Sequence, residues 1–201
     1  MCRYIIEHYD DLQEIIIFHH ADRYQWHNDD PLYDGRRVLS RLKTEYVLER
    51  GYVNLRCVWT LGCPSEIKPW EEEEKSAKRL AAGGEKRAGD YYKAAFEVLF
   101  PGEPVPQAVG APCCAQFAVT ADRIRKRPKS DYERYRTWLL ETELDGGLSG
   151  RVIEFMWHSR EAPILIPANH GILMLQDSHI WKARPGLLQC SRMLLQTLWA
   201  V

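Results

Sequence analysis

The sequence predicts an α/β fold, an open mixed sheet flanked by helices, and three observations carry that expectation. Three short runs rich in β-branched and aromatic residues, Glu14 to Phe18 (EIIIF), Tyr52 to Trp59 (YVNLRCVW) and Cys113 to Thr120 (CCAQFAVT), read as strands. The segments between them are long enough for helices and carry capping residues at their ends. A chain of 201 residues, 45% hydrophobic and 27% charged, has ordinary globular composition and can bury a real core.

Taken in order, Tyr4 to Tyr9 reads as the last turns of a helix that the start of the chain cuts off. EIIIF then makes a buried strand. The polar stretch His19 to Asp30 follows at once, and Asp30-Pro31 reads as N-cap and first helical position. A helix from Leu32 to Arg50 is expected, with Val38, Leu39, Leu42, Tyr46 and Val47 on one side and Gly51 as its stop. Gly35 weakens its first turn and favours a later start. The second strand ends at Gly62, Cys63 and Pro64. Glu71 to Asp90, with its run EEEEK, reads as a solvated and partly disordered insert, and Asp90 as the cap of a helix over Tyr91 to Phe100. Pro104, Pro106 and Pro112 make an extended connector to the third strand. Thr120 caps a short helix through Arg127. Ser130, with Glu133 at the capping-box position, opens a helix to about Leu144. Arg151 to His158 is a further helix. The chain divides into a domain over 1–158 and a loosely packed, divergent tail over 159–201. No internal repeat is visible.

Lys plus Arg is 27 and Asp plus Glu is 28, a net charge of −1. That balance argues against a general nucleic-acid binder, which needs excess cations for phosphates. No apolar run approaches the roughly 20 residues of a membrane span, and no signal peptide opens the chain. The expectation is a cytoplasmic protein without a membrane span. Six cysteines, Cys2, Cys57, Cys63, Cys113, Cys114 and Cys190, lack the C-x-x-C spacing of a zinc knuckle. In a reducing compartment, disulfides are not expected.

Three segments carry a family resemblance: FHHADRYQWHNDDP (Phe18 to Pro31), GYVNLRCVW (Gly51 to Trp59) and APCCAQFAVT (Ala111 to Thr120). SDYERYRTWLLET (Ser130 to Thr142) and SGRVIEFMWH (Ser149 to His158) add to it. Together they resemble the fungal and bacterial family catalogued as domain of unknown function 3431, over roughly Tyr4 to His158. The resemblance implies an upstream strand and loop before Tyr4, so the layout is expected to be incomplete, and the tail after His158 departs from the family pattern. By analogy the layout is Rossmann-like or glycosyltransferase-A-like. That analogy implies a metal-assisted glycosyltransferase-like enzyme of fungal secondary metabolism or glycan synthesis, with a nucleotide sugar as partner and Mn or Mg as cofactor.

The residues of Phe18 to Pro31 suit such chemistry. They form a strand end, a polar loop and a helix start, where ligands bind in open α/β sheets. Imidazoles and carboxylates crowd there. His20, Asp22 and Asp29 are the candidate metal ligands, with His20-Ala21-Asp22 standing where a metal-dependent glycosyltransferase carries Asp-x-Asp. His27 and Asp30, with Glu154 and His158 spaced i, i+4 on one helix face, are the candidate catalytic groups. Arg56 and Asn28 are candidates for holding the cofactor or its phosphates. A structural reading stands beside each: Asp29 or Asp30 caps the helix, Trp26 packs, one of His19 and His20 is buried by strand alternation, Arg56 forms an internal ion pair, and Glu154 pairs on its helix. Arg123 to Arg127 (RIRKR) reads first as a solvated face. Two further functions stay open: a non-enzymatic, truncated accessory protein of a biosynthetic gene cluster, and a cysteine-dependent enzyme using Cys113 or Cys114 with His27 as base.

Overall fold

The run FAVT holds the middle of the sheet. A computed structural model describes residues 1–56, 67–110 and 114–157 of the protein. Its three strands are β1 (Ile15–Phe18), β2 (Tyr52–Asn54) and β3 (Phe117–Thr120), in the order β1-β3-β2. Every residue of β3 is buried, as a strand covered on both faces must be. It pairs antiparallel with both neighbours, with Phe18 opposite Phe117 on one side and Asn54 opposite Phe117 on the other. The sheet is open, as the sequence predicts, but antiparallel throughout rather than mixed. β1 and β2 run the same way without pairing, because β3 lies between them.

Alternation on β3 divides the core. Phe117 and Val119 face a large cluster with Ile5, Ile16, Tyr92, Phe96, Tyr132, Tyr135, Phe155 and Met156. Ile16 comes from β1, and the others from α1 (Cys2–Glu7), α5 (Ala88–Leu99), α7 (Lys129–Glu141) and α8 (Gly146–Trp157). Ala118 faces a smaller cluster of Val38, Leu42, Val47, Val53 and Leu55, under α2 (Gly35–Ser40) and α3 (Thr44–Arg50). Helices therefore cover both faces of the sheet. Among the described residues no helix is long and apolar enough to cross a membrane.

Several elements differ from the sequence expectation, each for a local reason. β3 begins at Phe117 rather than Cys113, because Cys114 and Ala115 take positive φ, 85° and 41°, and leave the extended region. β2 stops at Asn54, whose side-chain Oδ1 accepts the Arg56 N–H at 2.8 Å and turns the chain. The expected strand residues 57–59 lie outside the described residues, as do Cys113, His158 and the divergent tail. The helix expected over Leu32 to Arg50 is two helices. Tyr33 has a φ of 55°, which no α-helix accommodates, and Asp34 rather than Asp30 is the N-cap, accepting from the Arg36 N–H at 3.0 Å. Gly51 closes α3 in the left-handed conformation (φ 75°), as expected. α7 starts at Lys129 with Pro128 at the cap position, so Ser130 lies inside its first turn. α8 starts at Gly146, where Asp145 accepts the N–H groups of Gly147 and Leu148.

The expected insert at Glu71 to Asp90 is largely a helix, α4 (Glu72–Ala81). Its charges are spaced to pair, Glu71 with Lys75 at 3.0 Å and Glu74 with Lys78 at 2.6 Å. Its acids sit at the N-terminus and its bases at the C-terminus, complementing the helix dipole. It is tied down by Arg79, whose Nη2 lies 2.6 Å from Asp90 Oδ2, and the same carboxylate accepts the Arg87 N–H at 2.7 Å. The basic run is a solvated face only in part, at the exposed Arg125 and Lys126. Thr120 caps the short helix α6 (Ala121–Ile124) as expected, but Arg123 is buried, Arg125 donates to the Tyr9 carbonyl, and Arg127 pairs with Glu103 and Asp131. Replacing Asp90 by alanine removes a cap and the partner of Arg79 together. We expect Asp90→Ala to destabilise the fold by about 1–3 kcal/mol in urea denaturation, and the exposed Glu97→Ala on the same helix to stay within about 0.5 kcal/mol.

Candidate functional site

Because Phe18, Phe117 and Asn54 lie level in the ladder, the chain leaves the sheet at one edge three times. His20 follows β1 by two residues, Arg56 follows β2 by two, and Cys114 precedes β3 by three. The loop 19–34 is folded against this edge by its own polar groups. Asn28 Nδ2 donates to the carbonyls of Arg23 (3.0 Å) and Tyr33 (2.9 Å), pinning both arms. Gln25 N–H donates to the Tyr33 carbonyl and Gly35 N–H to that of Arg23, forming a miniature antiparallel ladder. Asp30, with 0% side-chain exposure, faces Arg41 at 3.2 Å and Arg37 at 3.8 Å and accepts the Leu32 N–H. Asp34 receives both Arg23 Nε (3.0 Å) and Nη2 (2.8 Å). The Arg23 guanidinium, with the Arg36 N–H, holds the Asp34 carboxyl down to about 2.

Three histidines line the edge. His19 is half-buried and His20 exposed, as strand alternation predicts. His19 Nδ1 lies 2.8 Å from the His20 carbonyl. A carbonyl only accepts, so Nδ1 carries a hydrogen. By the same argument His20 Nε2, 3.2 Å from the Cys114 carbonyl, is the protonated nitrogen of its ring. The His20 ring lies against that of His27, centroids 4.3 Å apart, and Trp26 meets His27 edge-on at 5.2 Å. Arg56 completes the group. Its guanidinium lies 5.3 Å above the Trp26 ring and Nη1 is 3.3 Å from Cys114 Sγ. His27 is buried, and its pKa falls below the ordinary imidazole value. Burial is the main cause, followed by the charges of His20, Arg56 and His19. Among the described residues, the buried atoms His19 Nε2, His27 Nε2 and Asn28 Oδ1 have no hydrogen-bond partner.

A family model described as "Protein of unknown function (DUF3431)" matches residues 1–162. The chain belongs to that family. No curated protein and no solved structure matches it. Within this DUF3431 chain, the structure brings together His20, His27 and Arg56 from the sequence-predicted set, and sets Asn28 beneath them as the loop's internal tie. Asp30 is the loop's buried counter-ion. Asp22 is exposed and accepts from Gln25 Nε2 at 2.8 Å, and Asp29 is half-buried and engaged in an interaction of its own. Among the described residues no group of three or more His, Cys, Asp or Glu is placed to hold a metal ion, so His20, Asp22 and Asp29 do not gather as a ligand set. Glu154 receives Arg151 Nη1 at 2.6 Å on α8, and His158 lies outside the described residues. Cys114 is disulfide-bonded, against the expectation of free thiols, and offers no thiolate in this state.

Two contributors escaped the sequence reading. His19 supplies a buried ring nitrogen, Nε2, and Gly35 makes room for its ring: a Cβ there would lie 2.6 Å from His19 Cε1 and 3.0 Å from Asn28 Nδ2. A glycine directly after an N-cap was the available signal, read instead as a weak first turn. Chemically the edge offers a neutral imidazole near a fixed cation. We expect His27 to titrate below about 6.5 in NMR spectra, and to move up in Arg56→Ala as the neighbouring cation is lost. A folded-state pKa below the unfolded value means that this histidine's contribution is complete above about pH 6.5 and is lost as pH falls through the folded value. Gly35→Ala should displace the His19 ring and shift its NMR resonances while α2 stays formed.

Proposed function

We propose that the protein is a glycosyltransferase-like enzyme that moves a glycosyl group from a nucleotide sugar to an acceptor hydroxyl. The observation that supports this reading most is the pairing of a buried, neutral imidazole, His27, with the Arg56 guanidinium at one sheet edge. Transfer needs a base for the acceptor proton and positive charge for the leaving diphosphate. In this reading the acceptor O–H gives its proton to the unpartnered Nε2 of His27, and the oxygen bonds to the anomeric carbon. The bond from that carbon to the phosphate oxygen breaks, and the diphosphate leaves with the electron pair towards Arg56. His20, donating to the Cys114 carbonyl and packed at a 53° tilt against the His27 ring, fixes the base's orientation. The step uses the chain's own side chains and routes nothing through Asp22 or Asp29, because these are not gathered around one point with His20.

A second reading draws on a different observation. Asn28, Asp30 and Asp34 direct their polar groups inward, and that is what a non-enzymatic accessory protein would also need to hold this loop. A kinetic assay separates the two. Nucleoside diphosphate release from UDP-glucose, UDP-N-acetylglucosamine and GDP-mannose is followed with a mixture of sugar acceptors. The transfer reading expects release that falls about 10²- to 10⁴-fold in His27→Ala with the fold intact. No release by the folded wild type, with His27 resonances unmoved by any donor, leaves the accessory reading.

A further inference from the structure

The same loop carries a surface that the transfer step does not use. Tyr24 and Trp26 are each 59% exposed, an unusual state for rings of that size. They stand two residues apart in the loop, Tyr24 bridged to Asp34 in the miniature ladder and Trp26 in the turn that follows, which the Asn28 N–H closes on the Gln25 carbonyl at 2.9 Å. Each ring is backed by a guanidinium, Arg23 at 4.9 Å from Tyr24 and Arg56 at 5.3 Å from Trp26. One face of each ring is therefore occupied and the ring still presents most of its area outward. Trp26 also touches His27 edge-on, and His27 Nε2 and Asn28 Oδ1 are buried without a hydrogen-bond partner among the described residues. Exposed rings next to unmatched buried polar atoms are the composition of a ligand site.

We propose that Tyr24 and Trp26 form a platform for an oligosaccharide of pyranose units, leading to His27. As an acceptor subsite this rests on the glycosyl-transfer reading; as a binding site it does not. A pyranose presents a C–H face, whose positive edge hydrogens suit the negative face of an aromatic ring. Its hydroxyls point sideways, where Asp22, Arg23 and Gln25 supply a mixed rim of donors and acceptors. A helix or strand of a protein partner would need contiguous apolar surface, which this charged rim interrupts. A single-stranded nucleic acid stacks on rings as well, but its phosphates would meet the exposed carboxylate of Asp22 in a chain with a net charge of −1.

Trp26 fluorescence and calorimetry on the full chain test the platform, with chitohexaose, cellohexaose and maltohexaose as probes and oligothymidylate beside them. At least one hexasaccharide should bind, with affinity falling about tenfold or more in Trp26→Ala and retained within about threefold in Trp26→Phe. Tyr24→Ala provides a second variant should Trp26→Ala not fold. Binding of none of the three sugars, affinity unchanged in both alanine variants, or binding of oligothymidylate alone overturns the proposal. Hexasaccharide binding without nucleotide release keeps the platform and removes the transfer reading. Nucleotide release with a monosaccharide acceptor but no hexasaccharide binding does the reverse.

Discussion

The register of β3 between its two neighbours is the constraint on which the site depends. A strand with both faces buried has its register strongly specified, since a slip of one residue would exchange Phe117 and Val119 with Ala118 between two unlike clusters. The large cluster accepts aromatic rings, and the small one accepts a methyl group. With that register fixed, Phe18, Phe117 and Asn54 lie level, and the polar segments after β1 and β2 and before β3 meet at one edge. Trp157, with its ring 6.1 Å from that of Phe117, seals the end of the large cluster directly behind them. The site needs no element of its own: it is what three level strand ends leave exposed.

The loop 19–34 shows how a polar segment can be rigid without a core. A carboxylate as buried as Asp30 would cost several kcal/mol if left alone, and it is held only because Arg37 and Arg41 of the α2 region face it. Asp34 draws Arg23 across the loop and caps α2 with the same side chain, and Asn28 bridges the two arms. These acids and amides are committed to backbone and guanidinium partners. Against that internal pairing, the buried loop atoms without a hydrogen-bond partner among the described residues are His19 Nε2, His27 Nε2, Asn28 Oδ1 and Asp30 Oδ1, the last held by the Arg41 ion pair alone.

Sequence patterning made the three strands legible, because β-branched runs and punctuating Gly and Pro are local signals, but it assigned the burial to EIIIF, whereas Ile17 of β1 is 41% exposed and the strand buried throughout is β3. Element ends were less legible, since they are set by single torsions or side-chain bonds: the positive φ of Tyr33 and of Cys114, or the Asn54 carboxamide on Arg56 N–H. Strand direction was not legible at all. The βα alternation suggested mixed pairing, whereas the partner of β1 is chosen by the face chemistry of β3. In the candidate site, the cluster of His, Asp and Asn was visible as composition, but composition does not say which acids turn inward. Asp22, Asp29 and Asp30 look equivalent in FHHADRYQWHNDDP. Only Asp30 meets two arginines from downstream of the loop, and only the fold could show that.

The chemistry of the edge follows from what surrounds His27. A histidine with a carboxylate partner is drawn towards the imidazolium form, while one among other imidazoles and a guanidinium, removed from water, is held neutral. Three acids of the loop are engaged with partners other than His27: Asp30 on Arg41, Asp34 on Arg23, Asp22 on Gln25. Internal pairing within the loop therefore does two things at once. It keeps the loop in place without a core, and it leaves a buried imidazole nitrogen without a hydrogen-bond partner among the described residues near a fixed positive charge. A group of that kind can take a proton from a bound hydroxyl, and the nearby cation favours the negative charge that develops next to it.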